Sequence, residues 1–185
     1  MLISLYTSRY IEFFSMILVL LIHEVFHVIF IKAFNQKINN FELTAFGGMM
    51  KINVKTSSLK EVLIYSGGII GNIIFLLLLK LINIPNDKFI YKYNILMIIV
   101  NILPIVPLDG SNILRIILEK VFPTRKALKL HFFISVSFLI SFSFYSIVNK
   151  SLPFITMAIL LIYHNICFYK SIDDIILNKI IKNIK

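Results

Sequence analysis

Apolar residues fall in long blocks along this chain, separated by short polar stretches. Five blocks stand out, at about residues 11–34, 62–83, 94–109, 131–148 and 152–169. The first two are close to the ~20 residues that a helix needs to cross a hydrocarbon core. None shows the two-residue alternation of a membrane β-barrel, so helices are predicted. The fourth and fifth blocks are joined only by Asn149, Lys150 and Ser151, which predicts a tight helical hairpin. Between the first two blocks, FGGMMKI at 46–52 puts glycines before an alternating run from Met50 to Val54. It reads equally as a strand edge or as a re-entrant loop. The expected fold is an all-α membrane protein. It is a polytopic bundle of about five transmembrane helices, with a short re-entrant or β-like segment after the first.

Composition agrees with the pattern. The 185 residues are 58% hydrophobic, with a mean hydropathy of +0.89, too apolar for an ordinary soluble domain. The formal net charge of +10 would suggest nucleic acid in a soluble chain. Here the basic residues lie between the apolar blocks, where they act as cytoplasmic anchors, and no nucleic-acid partner is expected. With the N-terminus outside and the C-terminus cytoplasmic, fourteen of the nineteen Lys and Arg residues fall on the cytoplasmic side. That orientation is therefore predicted. The single cysteine, Cys167, excludes an internal disulfide and is expected to be a packed apolar residue. The first block is too long for a signal-peptide core, so no cleavable leader is expected.

Inside the first block stands His23-Glu24-Val25-Phe26-His27. Helical spacing puts residues i and i+4 on one face, so both imidazoles can grip one metal ion with Glu24 beside them. Ionisable groups are costly in a bilayer, and three within five residues call for a functional reason. A catalytic zinc takes three protein ligands and keeps a fourth position open. Asp109, at the end of NILPIVPLDG (101–110), is the candidate third ligand. Counting 1.5 Å per residue puts His23 and His27 roughly 18 and 24 Å into the first block and Asp109 roughly 22 Å into the third. Pro104 and Pro107 break the third helix, which is tolerated in a membrane where the backbone lines a cavity. Asn101 can offer an amide to the same site. A buried polar cluster or a proton path is the competing reading. His131, at the start of the fourth block, is expected to be a solvated flank, and His164 a packing or hydrogen-bonding residue. Gly67 and Gly71 form a GxxxG suited to close helix packing.

HEVFH at 23–27, FGG at 46–48, SGGIIGN at 66–72 and NILPIVPLDG at 101–110 together resemble the site-2 protease family of intramembrane zinc metalloproteases. The resemblance covers about the first two-thirds of the chain. It implies one zinc ion per chain held by His23, His27 and Asp109, with Glu24 as catalytic acid/base. It also implies a substrate-binding or oxyanion-supporting role for Asn101, Gly47 and Gly48. Ser111 departs from the pattern, since a second glycine usually follows the aspartate, and so does Gly68, which stands where a proline is common.

SLKEV at 58–62 and the VFPTRKALKL that follows PLDG are most similar to the stage IV sporulation branch. That branch processes a membrane-associated pro-sigma factor. The implied setting is a multi-pass protein of a bacterial cell membrane. Its implied partners are the lipid bilayer, a membrane-associated protein substrate and a membrane-protein inhibitor. The expected organisation is one intramembrane protease domain, with a core at 11–122 and an extra hairpin at 131–169. The chain ends about 16 residues after the fifth block, so no nucleotide-sensing CBS domain is expected. A metal or proton transporter and a non-catalytic, substrate-binding relative are the alternative functions.

Overall fold

The computed structural model describes residues 2–36, 38–44, 47–52, 58–82 and 88–184. In chain order the elements are α1 (Leu2–Ala33), β1 (Ile38–Thr44), β2 (Gly47–Ile52), α2 (Ser58–Ile82), α3 (Lys88–Ile102), α4 (Asp109–Val121), α5 (Thr124–Val148) and α6 (Leu152–Ile184). Four of the described helices hold stretches long and apolar enough to cross a membrane: Tyr10–Ala33, Ser58–Ile82, Thr124–Val148 and Leu152–Leu177. Their outer faces carry large apolar side chains such as Leu21, Val25, Leu77, Phe144 and Ile159 in full view of the surroundings. Water would penalise such surfaces, whereas acyl chains match them.

The third apolar block does not form a continuous span. α3 starts at Lys88, six residues earlier than expected, and stops at Ile102 after 15 residues. Pro104 is the cause. It supplies no N–H to the helical ladder and disfavours helical geometry at the residue before it. Asp109 is therefore the first residue of α4, not the far end of α3. The depth estimate, which assumed helical rise from Asn94 to Asp109, does not hold over the last six residues.

The chain divides into two compact units, Met1–Asn101 and Ile102–Lys185. In the first, α1 packs on α2 through the two GxxxG glycines. A Cβ at Gly71 would stand 2.3 Å from Cγ of Phe26, and one at Gly67 would lie 3.2 Å from the Phe26 carbonyl oxygen. The expected close packing is what these glycines provide. Val19, Ile31 and Ile64 are buried in this unit. Tyr93 on α3 donates its hydroxyl hydrogen to the Glu12 carboxylate on α1. The strands β1 and β2 pair antiparallel, with Thr44 opposite Gly47 and Leu43 opposite Gly48. The 47–52 stretch is thus a strand with a covalently neighbouring partner, and Phe46 lies outside the described residues.

In the second unit, α5 and α6 form the expected hairpin. The Asn149 N–H donates to the Tyr145 carbonyl, and Lys150 turns the chain with a φ of 48°. Ala127, Leu128, Leu139, Ala158 and Leu161 are buried here. α5 begins seven residues before the expected start, taking in Arg125, Lys126 and Lys129, whose long apolar stems allow a helix to continue past the greasy stretch.

Two expectations are corrected. His131 is not a solvated flank: it is 2% exposed, bonded to the Ser111 hydroxyl at 2.7 Å, and meets the Phe168 ring edge-on. The earlier start of α5 moves it from the helix end to the second turn. Cys167 is exposed rather than packed, because α6 turns that face outward.

Candidate metal centre

One turn of α1 separates His23 from His27, and the two rings meet with their Nε2 atoms 3.2 Å apart. His27 Nδ1 lies 2.9 Å from the Ile64 carbonyl oxygen. A carbonyl only accepts, so Nδ1 carries the proton and the neutral ring keeps its Nε2 lone pair. Zn–N bonds of about 2.0–2.1 Å at a tetrahedral angle put two ligand nitrogens about 3.3 Å apart. The observed spacing fits that edge. Both imidazoles are buried, His23 at 4% and His27 at 9% exposure. Two nitrogens converging in an apolar helix pair thus have the spacing that half of a tetrahedral donor set requires.

α2 shapes the space around them. A Cβ built on Gly68 would stand 2.5 Å from both Nε2 atoms and 2.4 Å from Cε1 of His23. Only the missing side chain lets the helix backbone lie against the pair. One turn on, the fully buried Asn72 places its amide nitrogen 3.4 Å from His23 Nδ1. The Asn72 Oδ1 has no hydrogen-bond partner among the described residues. The amide rotamer that turns Oδ1 to His23 accepts from Nδ1–H and frees Nε2 for a metal, matching what Ile64 does for His27. Asn94 on α3 donates to the Asn72 carbonyl at 2.8 Å and ties this corner to a third helix. Asn72→Ala is expected to weaken zinc binding about 10- to 100-fold, read by chelator competition. Helix content should not change.

The remaining sequence-derived candidates are spread over both units. Glu24 is half-buried on α1, beside His23. Gly47 and Gly48 open β2. Asn101 is buried in the last turn of α3, where its amide donates to the Met97 carbonyl at 3.0 Å. Its second amide hydrogen meets only the weak acceptor Met97 Sδ at 3.1 Å, which an oxyanion would outcompete.

Asp109 lies in the second unit, half-buried, offering a carboxylate oxygen from the first turn of α4. Gly110 fixes the turn behind it. A Cβ there would lie 2.2 Å from the Ile102 carbonyl oxygen and 2.8 Å from that of Leu103, so only glycine allows the chain to fold back this tightly. His164 is half-buried on α6, its ring T-shaped against that of neighbouring Tyr163.

Sequence reasoning did not single out Gly68, Asn72 or Asn94 as partners of the histidines. The available signal was polar amides inside apolar spans, which are costly unless they bond to something.

These features define a polytopic helical membrane protein with a paired-histidine donor site in its first unit. The family model for Peptidase family M50 matches residues 87–142, a stretch that includes Asp109 and leaves out the histidine pair. The fold is similar to that of the Site-2 Protease from Methanocaldococcus jannaschii, with a TM-score of 0.66 and 21% sequence identity. That similarity covers 84% of this chain and 76% of the archaeal one. No protein of curated function matches by sequence.

Proposed function

We propose that this protein is an intramembrane zinc metalloprotease of the site-2 type, hydrolysing peptide bonds of membrane-associated proteins. The observation that carries the reading is the 3.2 Å approach of two buried Nε2 atoms, with the Ile64 carbonyl engaging His27 Nδ1 and leaving its Nε2 available to a metal. The M50 match and the site-2 protease fold support it. Asp109 serves as the third ligand, an oxygen donor suited to zinc beside two imidazoles. When bound, zinc lowers the pKa of a coordinated water toward ~7 and polarises the scissile carbonyl. Glu24 takes the proton from the attacking water and returns it to the leaving amine. A helical substrate hides its carbonyls, so it must be extended before attack. The strand β2, with an edge not taken by β1, supports binding of the extended segment by strand addition.

With the block interrupted at Pro104 counted as a broken crossing, the excess of basic residues at 32–60, 115–129 and 170–185 supports an N-outside, C-cytoplasmic orientation. Hydrolysis on the cytoplasmic side then follows. A membrane-associated pro-sigma factor in a sporulating bacterium is the proposed substrate class, with a membrane-protein inhibitor as a partner.

The ligand set is tested by metal analysis of purified protein. The parent should bind one zinc, and His23→Ala and Asp109→Ala should each lose it. Undiminished zinc in either variant removes that residue from the set.

A further inference from the structure

The loop from Leu103 to Leu108 is non-helical backbone in an apolar setting, flanked by the buried side chains of Ile105 and Leu108. Pro104 and Pro107 have no N–H to offer. The peptide groups between them need partners, because an unpaired N–H or C=O is costly in hydrocarbon. Leu108 donates to the Ile105 carbonyl at 2.8 Å. Val106 is handled differently. Its N–H donates to the Ser135 hydroxyl of α5 at 2.9 Å, and its carbonyl accepts from the Asn165 amide of α6 at 3.1 Å. Ser135 in turn donates to Asn165 Oδ1 at 2.6 Å, and the second Asn165 hydrogen goes to the Leu161 carbonyl at 2.9 Å. Ser135 is 0% and Asn165 3% exposed.

We propose that Ser135 and Asn165 are positioning residues that hold the Val106 peptide groups and so fix the loop presenting Asp109. The bland reading is a polar contact joining two membrane helices. The connectivity argues against it. A helix–helix link needs only the Ser135–Asn165 bond, yet both side chains also reach the same loop residue. Together they close a ring through the N–H and the C=O of Val106. Asp109 follows three residues later, past Pro107 and the Leu108 held by the Ile105 carbonyl, so displacement of Val106 passes along a short and stiff path. The α5–α6 hairpin thus acts as the support of the loop that presents Asp109. The inference rests on Asp109 as a metal ligand.

The test uses the full chain with Ser135→Ala, Ser135→Thr and Asn165→Leu. Ser146→Ala is the control, since Ser146 is equally buried on α5 but bonds only to the Phe142 carbonyl of its own helix. Hydrogen exchange at the Val106 and Leu108 amides, zinc affinity by chelator competition, and kcat and KM on a membrane-tethered peptide are read together.

Ser135→Ala and Asn165→Leu should speed exchange at these amides and weaken zinc binding about tenfold or more. They should lower kcat with little change in KM. Ser135→Thr, which keeps the hydroxyl, should restore all three, and Ser146→Ala should change none. Unaltered exchange in both Ser135→Ala and Asn165→Leu overturns the proposal, as does an equal loss in Ser146→Ala. If Asn165→Leu does not fold, the Ser135 pair decides. His23→Ala run alongside separates the two readings: retained zinc there defeats the metal site itself, whereas the exchange result judges the loop support on its own.

Discussion

Glu24→Gln protein is expected to bind zinc as the parent does and to cleave at least ~10²-fold more slowly, the contribution typical of a positioned general acid/base. The side chains have the same shape, so packing on α1 is kept. The amide cannot accept the proton of the attacking water at neutral pH. The Ile64 carbonyl and Asn72, which orient His27 and His23, are untouched by the substitution. The check is a turnover assay with a membrane-tethered substrate, paired with metal analysis of the same preparation. Turnover close to that of the parent would remove Glu24 from its role. Turnover absent in the parent as well would favour a substrate-binding or transport protein.

Gly68→Ala is expected to abolish stoichiometric zinc binding while leaving the helices intact. Two effects oppose each other. Replacing a mid-helix glycine by alanine stabilises a helix by roughly 0.8–1 kcal/mol. The new methyl, however, would sit 2.4–2.5 Å from three ring atoms of the histidine pair. Overpacking of this kind costs about 1–3 kcal/mol, and the simplest relief is to swing an imidazole away. His27 would then give up the Ile64 carbonyl, and the 3.2 Å approach of the Nε2 atoms would be lost. Metal stoichiometry and circular dichroism measured together decide the point: zinc should fall with helix content unchanged. Full zinc occupancy in Gly68→Ala would show that α2 does not confine the pair.

Much of the architecture was legible because it follows from local rules. The length of the apolar blocks dictated membrane-scale helices at α1, α2, α5 and α6. Three intervening polar residues dictated the α5–α6 turn. The break at Pro104 and Pro107 was legible, but the depth count carried helical rise across it, whereas α3 ends at Ile102. His131 was misjudged because the start of α5 was drawn at the last charged residue, although lysine and arginine stems can extend a helix beyond it. The alternation from Met50 left β2 open between a strand and a re-entrant loop. Its partner β1 could not be seen, because INNFELT carries no clear apolar face.

What the sequence alone determined is the histidine pair: i and i+4 share a helix face wherever that helix sits, so HEVFH places two imidazoles side by side without outside help. The need for a break before Asp109 is likewise written into Pro104 and Pro107. Tertiary structure alone decided which groups aim and confine those side chains. Asn72 lies 49 residues from His23, and Asn165 lies 59 from Val106. Such pairs meet only when separate helices pack, and no periodicity along the chain encodes which buried amide will face which ring or peptide group.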